Sequence, residues 1–313
     1  MLTKRDVILV KVESTYNTDS TPTGTDAILV ENPSWSFEGL RMNDRPAVRT
    51  SMGKMQKIFG GSLKSVSFDV EIKGSGTAGT APEFDALLEA AGLVGTNTPA
   101  TSEVYALTSN PATHAAKSVT LYYYQDGTRH IITGGMVSAL SFNLTVGAPG
   151  KMSFTVVGHE TTQTDTALVT PTYDSVVPSP FINGAFAAHT YAAAISSLSL
   201  DIGIEMSMEP DVNGADGYGS MILTGRDPSG SFDPAATLVA THDFLGKFTS
   251  GSKGTIVTGD IGATAGNIWS LTLNDTYYTN ITPADRGGVR TYTVPYSVTD
   301  ETTTDNELSL SFT

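Results

Sequence analysis

The chain contains an internal repeat at a constant offset of 164 residues. Residues 32–69 align with residues 196–233 without a gap, and eleven of the 38 aligned positions are identical. A repeat that keeps glycines and a proline in phase predicts two copies of one folding unit, and it favours assembly or pseudo-symmetry over catalysis. The identical pairs are Gly39/Gly203, Met42/Met206, Pro46/Pro210, Val48/Val212, Gly53/Gly217, Ile58/Ile222, Gly61/Gly225, Ser65/Ser229, Ser67/Ser231, Phe68/Phe232 and Asp69/Asp233.

Length and composition indicate two domains of mainly β structure. A chain of 313 residues is long enough for two domains that each bury a core. Charged residues make up only 16% of the chain, and threonine and serine are abundant, which favours pleated strands. We expect a first domain over residues 1–160, a linker rich in threonine and proline over 161–180, and a second, duplicated domain over 181–313.

Alternation of apolar and polar residues predicts strands in both halves. The ends of the two halves are also similar, because 140–146 matches 292–298 and 152–155 matches 310–313. We therefore expect the same order of strands in both copies. The predicted strands are 66–72, 119–124, 137–146 and 152–157 in the first half, and 198–208, 219–224, 254–258, 268–273, 289–298 and 308–312 in the second half.

One flanking helix is predicted in each half. Residues 82–91 have a proline in the first turn and apolar residues at helical spacing, and Gly92 follows as a stop signal. The counterpart is the less regular segment 242–248, which lies before Gly251. Each copy is therefore expected to combine strands with a single short helix.

Two long segments, 39–64 and 203–228, are predicted to be interaction arms, here named arm one and arm two. A long connection outside the core is usually functional. The net charge is +5 over residues 41–64 and −4 over residues 205–228, with Arg41 aligned to Glu205 and Arg45 to Glu209. We predict that arm one contacts acidic residues of a neighbouring second copy. The candidate interface residues are Arg41, Arg45, Arg49, Lys54, Lys57, Lys64, Glu205, Glu209, Asp211 and Asp216.

The charge balance and the absence of cysteine exclude several classes of function. A net charge of −14 repels phosphate, so tight nucleic-acid binding is not expected. A chain without cysteine has no disulfide framework, no thiolate metal site and no cysteine catalysis. The start of the chain lacks the features of a signal peptide, and no apolar run has the length of a membrane span, so we expect synthesis in the cytoplasm.

The sequence carries no convincing catalytic, cofactor or metal motif. The histidines are far apart and lack the H-x-H or H-E-x-x-H spacing of metal ligands. Asp211, Asn213 and Asp216 lie near the spacing of a calcium loop, but Asn-Gly and Asp-Gly are ordinary turn formers, and we favour a turn. There is no nucleophile-elbow motif. We therefore predict a protein that is not an enzyme and has no cofactor. The five histidines are His114, His130, His159, His189 and His242.

Two further motifs are interpreted as structural. The segment around Gly60 and Gly61 lacks the spacing of a phosphate-binding loop and precedes a strand, so a turn is predicted. The aromatic run 122–124 could form a sugar-stacking platform, but an alternating strand places Tyr122 and Tyr124 on one face and Tyr123 on the other. We predict that these tyrosines belong to the core and to an interface.

Three segments of the chain carry a resemblance to a known family: residues 13–30, arm one, and the late strand 290–298 with the sequence R-T-Y-T-V-P-Y-S-V. In these segments the chain resembles the major tail tube proteins of long, non-contractile bacteriophage tails. It implies two tandem tail-tube-type β-sandwich or barrel domains, each with one flanking α-helix and a long interaction arm. It also implies a virion protein that polymerises into stacked rings, in which each domain adds four strands to an inner β-barrel lined with acids.

The resemblance also implies partners. These are further copies of the chain, a tape measure protein inside the tube, and tail terminator and distal tail or baseplate proteins at its ends. Double-stranded DNA would pass through without specific binding. Three chains with two domains each would give a trimeric ring with pseudo-sixfold symmetry. Its 24 strands, about 4.8 Å apart, would give a circumference of roughly 115 Å, which is wide enough for duplex DNA.

Other functions remain open at this point. The second half could be an immunoglobulin-like decoration of the tube exterior, with a ring of six chains. The chain could instead be a secreted carbohydrate-binding or adhesin β-protein, a hydrolase of unknown type, or the tube protein of a contractile tail or a type VI-like system. The gap-free repeat argues against a decoration, and the absence of a signal peptide argues against secretion.

Overall fold

The protein is mainly β in the computed structural model, which describes residues 2, 4–109, 117–161 and 163–313. His114 lies outside these residues. The described strands are β1 Asp6–Val12, β2 Ala27–Ile28, β3 Glu31–Glu38, β4 Met42–Asn43, β5 Ile58–Phe59, β6 Leu63–Glu71, β7 Leu93–Thr98, β8 Ser102–Leu107, β9 Val119–Gln125, β10 Thr128–Thr145, β11 Lys151–Glu160, β12 Thr164–Asp165, β13 Ala187–Ala188, β14 Ser197–Asp201, β15 Ile204–Pro210, β16 Tyr218–Arg226, β17 Ser229–Phe232, β18 Gly254–Val257, β19 Trp269–Tyr278, β20 Thr282–Arg286, β21 Val289–Val298 and β22 Leu308–Phe312.

A central sheet of antiparallel strands runs through both halves of the chain. Its order is β3-β6-β11-β10 in the first half, followed by β14-β17-β21-β19 in the second half. The strand β20 continues the direction of β19 and pairs with β21. The same order of four strands therefore occurs twice in one uninterrupted sheet.

The correspondence predicted for the ends of the two halves is wrong. The match of 140–146 with 292–298 equates β10 with β21. In the structure β21 pairs with β17 as β11 pairs with β6, so β21 is the counterpart of β11. The counterpart of β10 is the pair β19 and β20, which together span 269–286 and form a hairpin with β21. Alternating strands have a period of two residues, so their patterns match equally well in several alignments.

The two halves are joined by hydrogen-bonded pairing between β10 and β14. Phe142 lies opposite Leu200, and Leu144 lies opposite Leu198. The amide of Ile202 donates to the carbonyl of Leu140 at 3.0 Å. The apolar side chains at this junction are at most 1% exposed. Burial of such a side chain contributes about 1.5–3 kcal/mol, so the junction is a part of the core.

One apolar core lies behind the central sheet and contains residues from Ile8 to Phe312. The helix α1, Asp85–Ala90, packs Leu87 and Leu88 into it. The second helix, α2, is Phe244–Ser250 and ends at Gly251, whose φ of +62° is the left-handed conformation of a helix cap. Both helices lie where the sequence predicts them, although α1 is shorter than predicted.

The tyrosine run in β9 alternates as predicted. Tyr123 belongs to the main core, whereas Tyr122 and Tyr124 form a smaller cluster with Val7 and Leu9. All three rings are buried. The segment predicted as a linker also packs on this small cluster through residues near position 168.

The opposite face of the central sheet is polar. Small side chains follow one another across the strands, with Ser141 opposite Asp201 and Ser199 opposite Ser231. Ser67 and Thr155 are hydrogen-bonded at 2.9 Å, and the hydroxyl of Ser153 donates to Asp69. Near β14 this face forms a shallow concavity lined by serines, Asn143 and Asp201. The sheet therefore has one face in the core and one smooth polar face.

The buried His189 makes stability depend on pH. Burial lowers its pKa to about 4, and its ring stacks on Tyr278 at 4.3 Å. The unfolded chain binds a proton at this residue below pH 6.5, but the folded chain does not until about pH 4. We therefore expect up to about 3 kcal/mol of stability to be present above pH 6.5 and lost as the pH falls toward 4.

The variant His189→Phe keeps the stacked ring and removes the titration. In urea unfolding at pH 7.5, 5.5 and 4.5, the stability of this variant should fall less with decreasing pH than that of the unchanged chain. A parallel loss of stability in both proteins would contradict the assignment.

Candidate assembly surfaces

The two arms are hairpins with the same register. In arm one, Met42 pairs with Phe59, and in arm two the aligned residues Met206 and Leu223 pair in the same way. The next pairs, Asn43 with Ile58 and Ser207 with Ile222, also agree. The offset of 164 therefore holds at the base of each arm. Farther out the arms differ, because β15 and β16 continue as a hairpin with two register shifts, whereas residues 44–57 of arm one form no strand.

Arm two is docked on the first half of its own chain. Its residues Tyr218 and Met221 are buried against Leu63, Met136 and Val157. The partly buried side chains that extend this contact are Met206, Met208 and Leu223. The apolar side of arm two therefore covers the end of the central sheet in the first half.

The base of arm one contacts the tip of arm two. The guanidinium of Arg41 donates to the carbonyl of Gly217 at 3.0 Å and lies 4.0 Å from the centre of the Tyr218 ring. The hydroxyl of Tyr218 donates to the carbonyl of Gly39 at 2.6 Å. Gly61 has a φ of +107°, and a Cβ atom there would lie 1.8 Å from the carbonyl oxygen of Asp216. Only glycine allows this close approach of the two arms.

A chain of hydrogen bonds fixes the tip of arm two. The hydroxyl of Tyr16 accepts from the amide of Met221 at 2.9 Å and lies 3.2 Å from Nε2 of His159. Nδ1 of His159 lies 2.6 Å from Asp216. The two ring nitrogens of His159 therefore bridge Tyr16 and Asp216.

Lys64 is a correction to the predicted interface, because it is buried in β6 and belongs to the fold. Its side chain is 2% exposed and lies 3.2 Å from Glu160. The ammonium also lies 3.4 Å from the centre of the Trp35 ring. Burial lowers the pKa of Lys64, and a hydrogen bond with His130 at 2.7 Å lowers the pKa of Glu160. This charge is neutralised within the chain and is not offered to a neighbour.

The other basic residues of arm one are bonded locally or extend into solvent. Lys57 lies 3.4 Å from Asp44, and Arg49 donates to the carbonyls of Gly53 and Lys54. Arg45 and Lys54 form no side-chain ion pair within the described ranges. Apart from Arg41 and the buried Lys64, the positive charges of this arm are therefore available to a partner.

The acidic candidates of arm two do not meet the basic residues of arm one within the chain. Asp216 binds His159, and Glu209 accepts from Ser207 at 2.9 Å. Asp211 accepts from the amide of Asn213 at 2.8 Å and closes the predicted turn. Of the described residues, Glu205 forms no side-chain ion pair. Whether these acids meet arm one of another chain stays a prediction.

Two edges of the central sheet form a surface that the sequence did not reveal. In the described part of the chain, β3 pairs only with β6, and β20 pairs only with β21. Their outer sides leave backbone groups free to pair. On β3, Trp35 and Phe37 are 40% and 49% exposed. The alternation Ser34-Trp35-Ser36-Phe37 is a strand signal that would have identified this edge before the structure was known.

The described residues show no sign of a metal centre or a membrane helix. No group of three or more histidine, aspartate and glutamate side chains within these ranges is placed to hold a metal ion. None of the described helices is long and apolar enough to cross a membrane. The surfaces that remain open to a partner are the outer edges of β3 and β20, with their backbone hydrogen-bonding groups, and the exposed side chains of arm one.

A model of one protein family, described as phage tail tube protein, matches residues 3–312. The chain belongs to the phage tail tube protein family. A comparison with curated proteins found no match. The mainly β fold agrees with the family, whose members are structural components of the virion that assemble into a tube.

The contact between the two arms at Gly61 is open to a direct test. The change Gly61→Ala should destabilise the folded chain by more than 1 kcal/mol, because the methyl group overlaps the backbone of Asp216 and φ is positive. The control is Gly53→Ala in the same arm, where φ is not positive and the nearest atom is 3.4 Å away in a flexible arginine. Equal unfolding midpoints in urea for the two variants would contradict the close approach.

Proposed function

We propose that this tail tube protein polymerises into stacked rings of three chains, and that each chain supplies two of six similar tube domains. The observation that carries the proposal is the order of strands, which repeats once within a single sheet of eight strands. Three such sheets joined edge to edge provide the 24 strands of one barrel. The boundaries 1–160, 161–180 and 181–313 remain the proposed division of the chain.

The junction inside the chain is the template for the junction between chains. In β10, residues Ser141 and Asn143 lie opposite Asp201 and Ser199 of β14. The hairpin of β10 with β11 corresponds to the hairpin of β20 with β21. When the two hairpins are aligned by their strand pairing, Thr282 and Ala284 of β20 take the places of Ser141 and Asn143 of β10. β3 pairs with β6 as β14 pairs with β17, and β6 and β17 are aligned by the repeat. Through these pairings, Ser36 and Ser34 of β3 take the places of Asp201 and Ser199 of β14.

This template gives a specific register for the proposed contact. Thr282 of one chain lies opposite Ser36 of the next chain, and Ala284 lies opposite Ser34. These four small residues share the polar face, and Pro283 then meets Trp35 on the apolar face. The phase of polar and apolar residues is therefore the same as at the internal junction, which supports closure through these two edges.

The polar face is proposed to line the channel. Closure of the ring turns one face of each sheet inward, and the core already occupies the other face. The charged side chains on the polar face are mainly acidic, with Glu31, Asp69, Glu71 and Asp201 against Lys151. An acidic lining repels phosphate, so double-stranded DNA would pass without binding.

The opposite charges of the two arms are proposed to contribute to assembly between chains. Residues 41–64 carry a net charge of +5 and residues 205–228 carry −4. By resemblance the tube is that of a long, non-contractile tail. The same resemblance places a tape measure protein inside it and terminator and distal tail or baseplate proteins at its ends. Synthesis in the host cytoplasm precedes assembly into the virion.

The closure of the ring is tested by disulfide formation in this chain, which has no cysteine of its own. The proposed pair Ser34 and Ala284 corresponds to Ser199 and Asn143, which form a non-hydrogen-bonded pair in which Cα atoms are about 4.5 Å apart. That distance permits a disulfide. Purified Ser34→Cys and Ala284→Cys chains, mixed and oxidised, should therefore form covalent dimers in high yield.

Each variant oxidised alone should stay monomeric under denaturing conditions, and the double variant Asn143→Cys/Ser199→Cys should form its disulfide within one chain. If the internal control is oxidised and rings are seen by negative-stain microscopy, but the mixed chains do not cross-link, the proposed edges are wrong.

The role of the arm charges is tested by reversal. The double change Arg45→Glu/Arg49→Glu should block polymerisation, because it replaces attraction between arms of opposite sign with repulsion and leaves the contact of Arg41 with arm two intact. The matched control is the double change Lys4→Glu/Lys11→Glu, which reverses two charges away from the arms. Sedimentation measures the polymerised fraction at low and high salt. Tubes of normal length and yield in the Arg45→Glu/Arg49→Glu variant would refute the electrostatic contribution.

A further inference from the structure

Arm one lacks the cover that arm two has within the same chain. Met206 and Leu223 pack against the buried cluster of the first half. Their counterparts Met42 and Phe59 have the same pairing but are 45% and 60% exposed. Ile58 is 52% exposed, as is its counterpart Ile222, so the difference in cover lies at Met42 and Phe59. Hairpin bases with the same pairing are thus partly buried in one copy and exposed in the other.

The surface that arm two covers has an uncovered counterpart as well. Arm two lies on Leu63, Met136 and Val157, which are all at most 4% exposed. The offset of 164 places Asp227 at the position of Leu63. Asp227 is exposed.

The other two counterparts follow from the strand pairing. In the first half, Val157 of β11 pairs with Ser65 on one side and with Met136 on the other. In the second half, Ser297 of β21 pairs in the same way with Ser229, the counterpart of Ser65, and with Tyr277. Ser297 and Tyr277 therefore occupy the positions of Val157 and Met136. Both are partly exposed, so this second surface is open where the first one is covered.

We propose that arm one of one chain docks on the surface formed by Asp227, Tyr277 and Ser297 of the next chain in the ring. The contact repeats, between chains, the docking of arm two within a chain. This inference rests on the proposed ring and adds the partner surface of arm one.

The connectivity of the chain brings the two proposed contacts to the same neighbour. Arm one follows β3 directly, as arm two follows β14. Within the chain, β14 pairs with β10 and arm two lies on the body to which β10 belongs. A chain whose β3 pairs with β20 of a neighbour therefore carries its arm one to the second half of that neighbour, where Asp227, Tyr277 and Ser297 lie.

The chemistry of the two surfaces is complementary. Phe59 and Met42 offer apolar area to the ring of Tyr277, and the arm carries Arg45 and Arg49 toward a surface that contains Asp227. The floor beneath arm two is apolar by contrast, and arm two is acidic. The acidic arm two therefore lies on an apolar surface, whereas the basic arm one would lie on a polar surface that contains an acid.

Arm docking also compensates for a short contact between the sheet edges. Alternate pairs at the internal junction exchange backbone hydrogen bonds, and Leu140 with Ile202 is one of them. In the proposed pairing of β20 with β3 of the next chain, residues 283 and 33 lie at positions where a backbone amide would donate to the other strand. Both residues are prolines. Proline has no amide hydrogen, so two hydrogen bonds are missing there. A second contact between the same chains is then required for a stable ring.

The test compares Phe59→Ser with Val48→Ser in the same arm. Val48 is the matched control because its counterpart Val212 is 97% exposed although arm two is docked. Both side chains are solvent-exposed, so both variants should fold with the circular dichroism spectrum of the unchanged chain. Phe59→Ser should raise the protein concentration needed for polymerisation at least tenfold, whereas Val48→Ser should change it less than twofold. Equal effects of the two changes would overturn the proposal.

A cross-linking experiment identifies the partner surface. Phe59→Cys chains are mixed with Tyr277→Cys chains, assembled, and treated with a short bis-maleimide. Covalent dimers should form in the assembled tubes and not in the monomers. Tubes that assemble normally without this cross-link would overturn the docking site and leave the ring intact. Absence of any tube from the unchanged chain would instead refute the proposed function.

Discussion

The pairing of β10 with β14 holds the two halves of the chain in one central sheet. It joins two similar groups of four strands into one sheet, and it does so by burying Phe142, Leu144, Leu198 and Leu200 between them. Without this ladder each half would have an additional open edge, and β10, the longest of the described strands, would be unpaired on one side over residues 141–145. The core is continuous for the same reason, since residues of both halves pack behind the shared sheet.

The repeat within one chain gives two kinds of strand edge. The edges of β10 and β14 pair with each other, whereas the outer edges of β3 and β20 have no partner strand in the described part of the chain. Each copy has a strand edge at either end and an arm, but in the described part of the chain only the internal edges pair with each other and only arm two is covered along its apolar side. Open strand edges normally invite unspecific pairing, and the prolines at positions 33 and 283 limit it here. In the proposed ring the same prolines weaken the edge contact, so that a neighbour is held firmly only when its edge strand and its arm both fit.

The offset of 164 holds in the arms because glycine and proline positions carry specific backbone information. It relates two hairpins with the same pairing, Met42 with Phe59 and Met206 with Leu223, although the sequence did not predict these pairings. Sequence matching failed for the later strands, where alternating residues match in more than one alignment and β21 was equated with β10. It also gave no sign that Lys64 is buried beside Glu160 and Trp35, because a lysine in a basic segment has the same sequence pattern whether its partner lies inside the chain or outside it. The contact of His159 with Asp216 was missed since it joins residues 57 positions apart, with no local motif.

In the proposed ring, one chain supplies two of six positions around the channel. A cryo-electron microscopy map of tubes grown from the purified protein would show this arrangement. We expect threefold rings whose inner barrel has 24 strands, in which eight adjacent strands belong to each chain and β20 of one chain lies beside β3 of the next. A ring of six chains, or a barrel to which the second half of the chain contributes no strands, would contradict it.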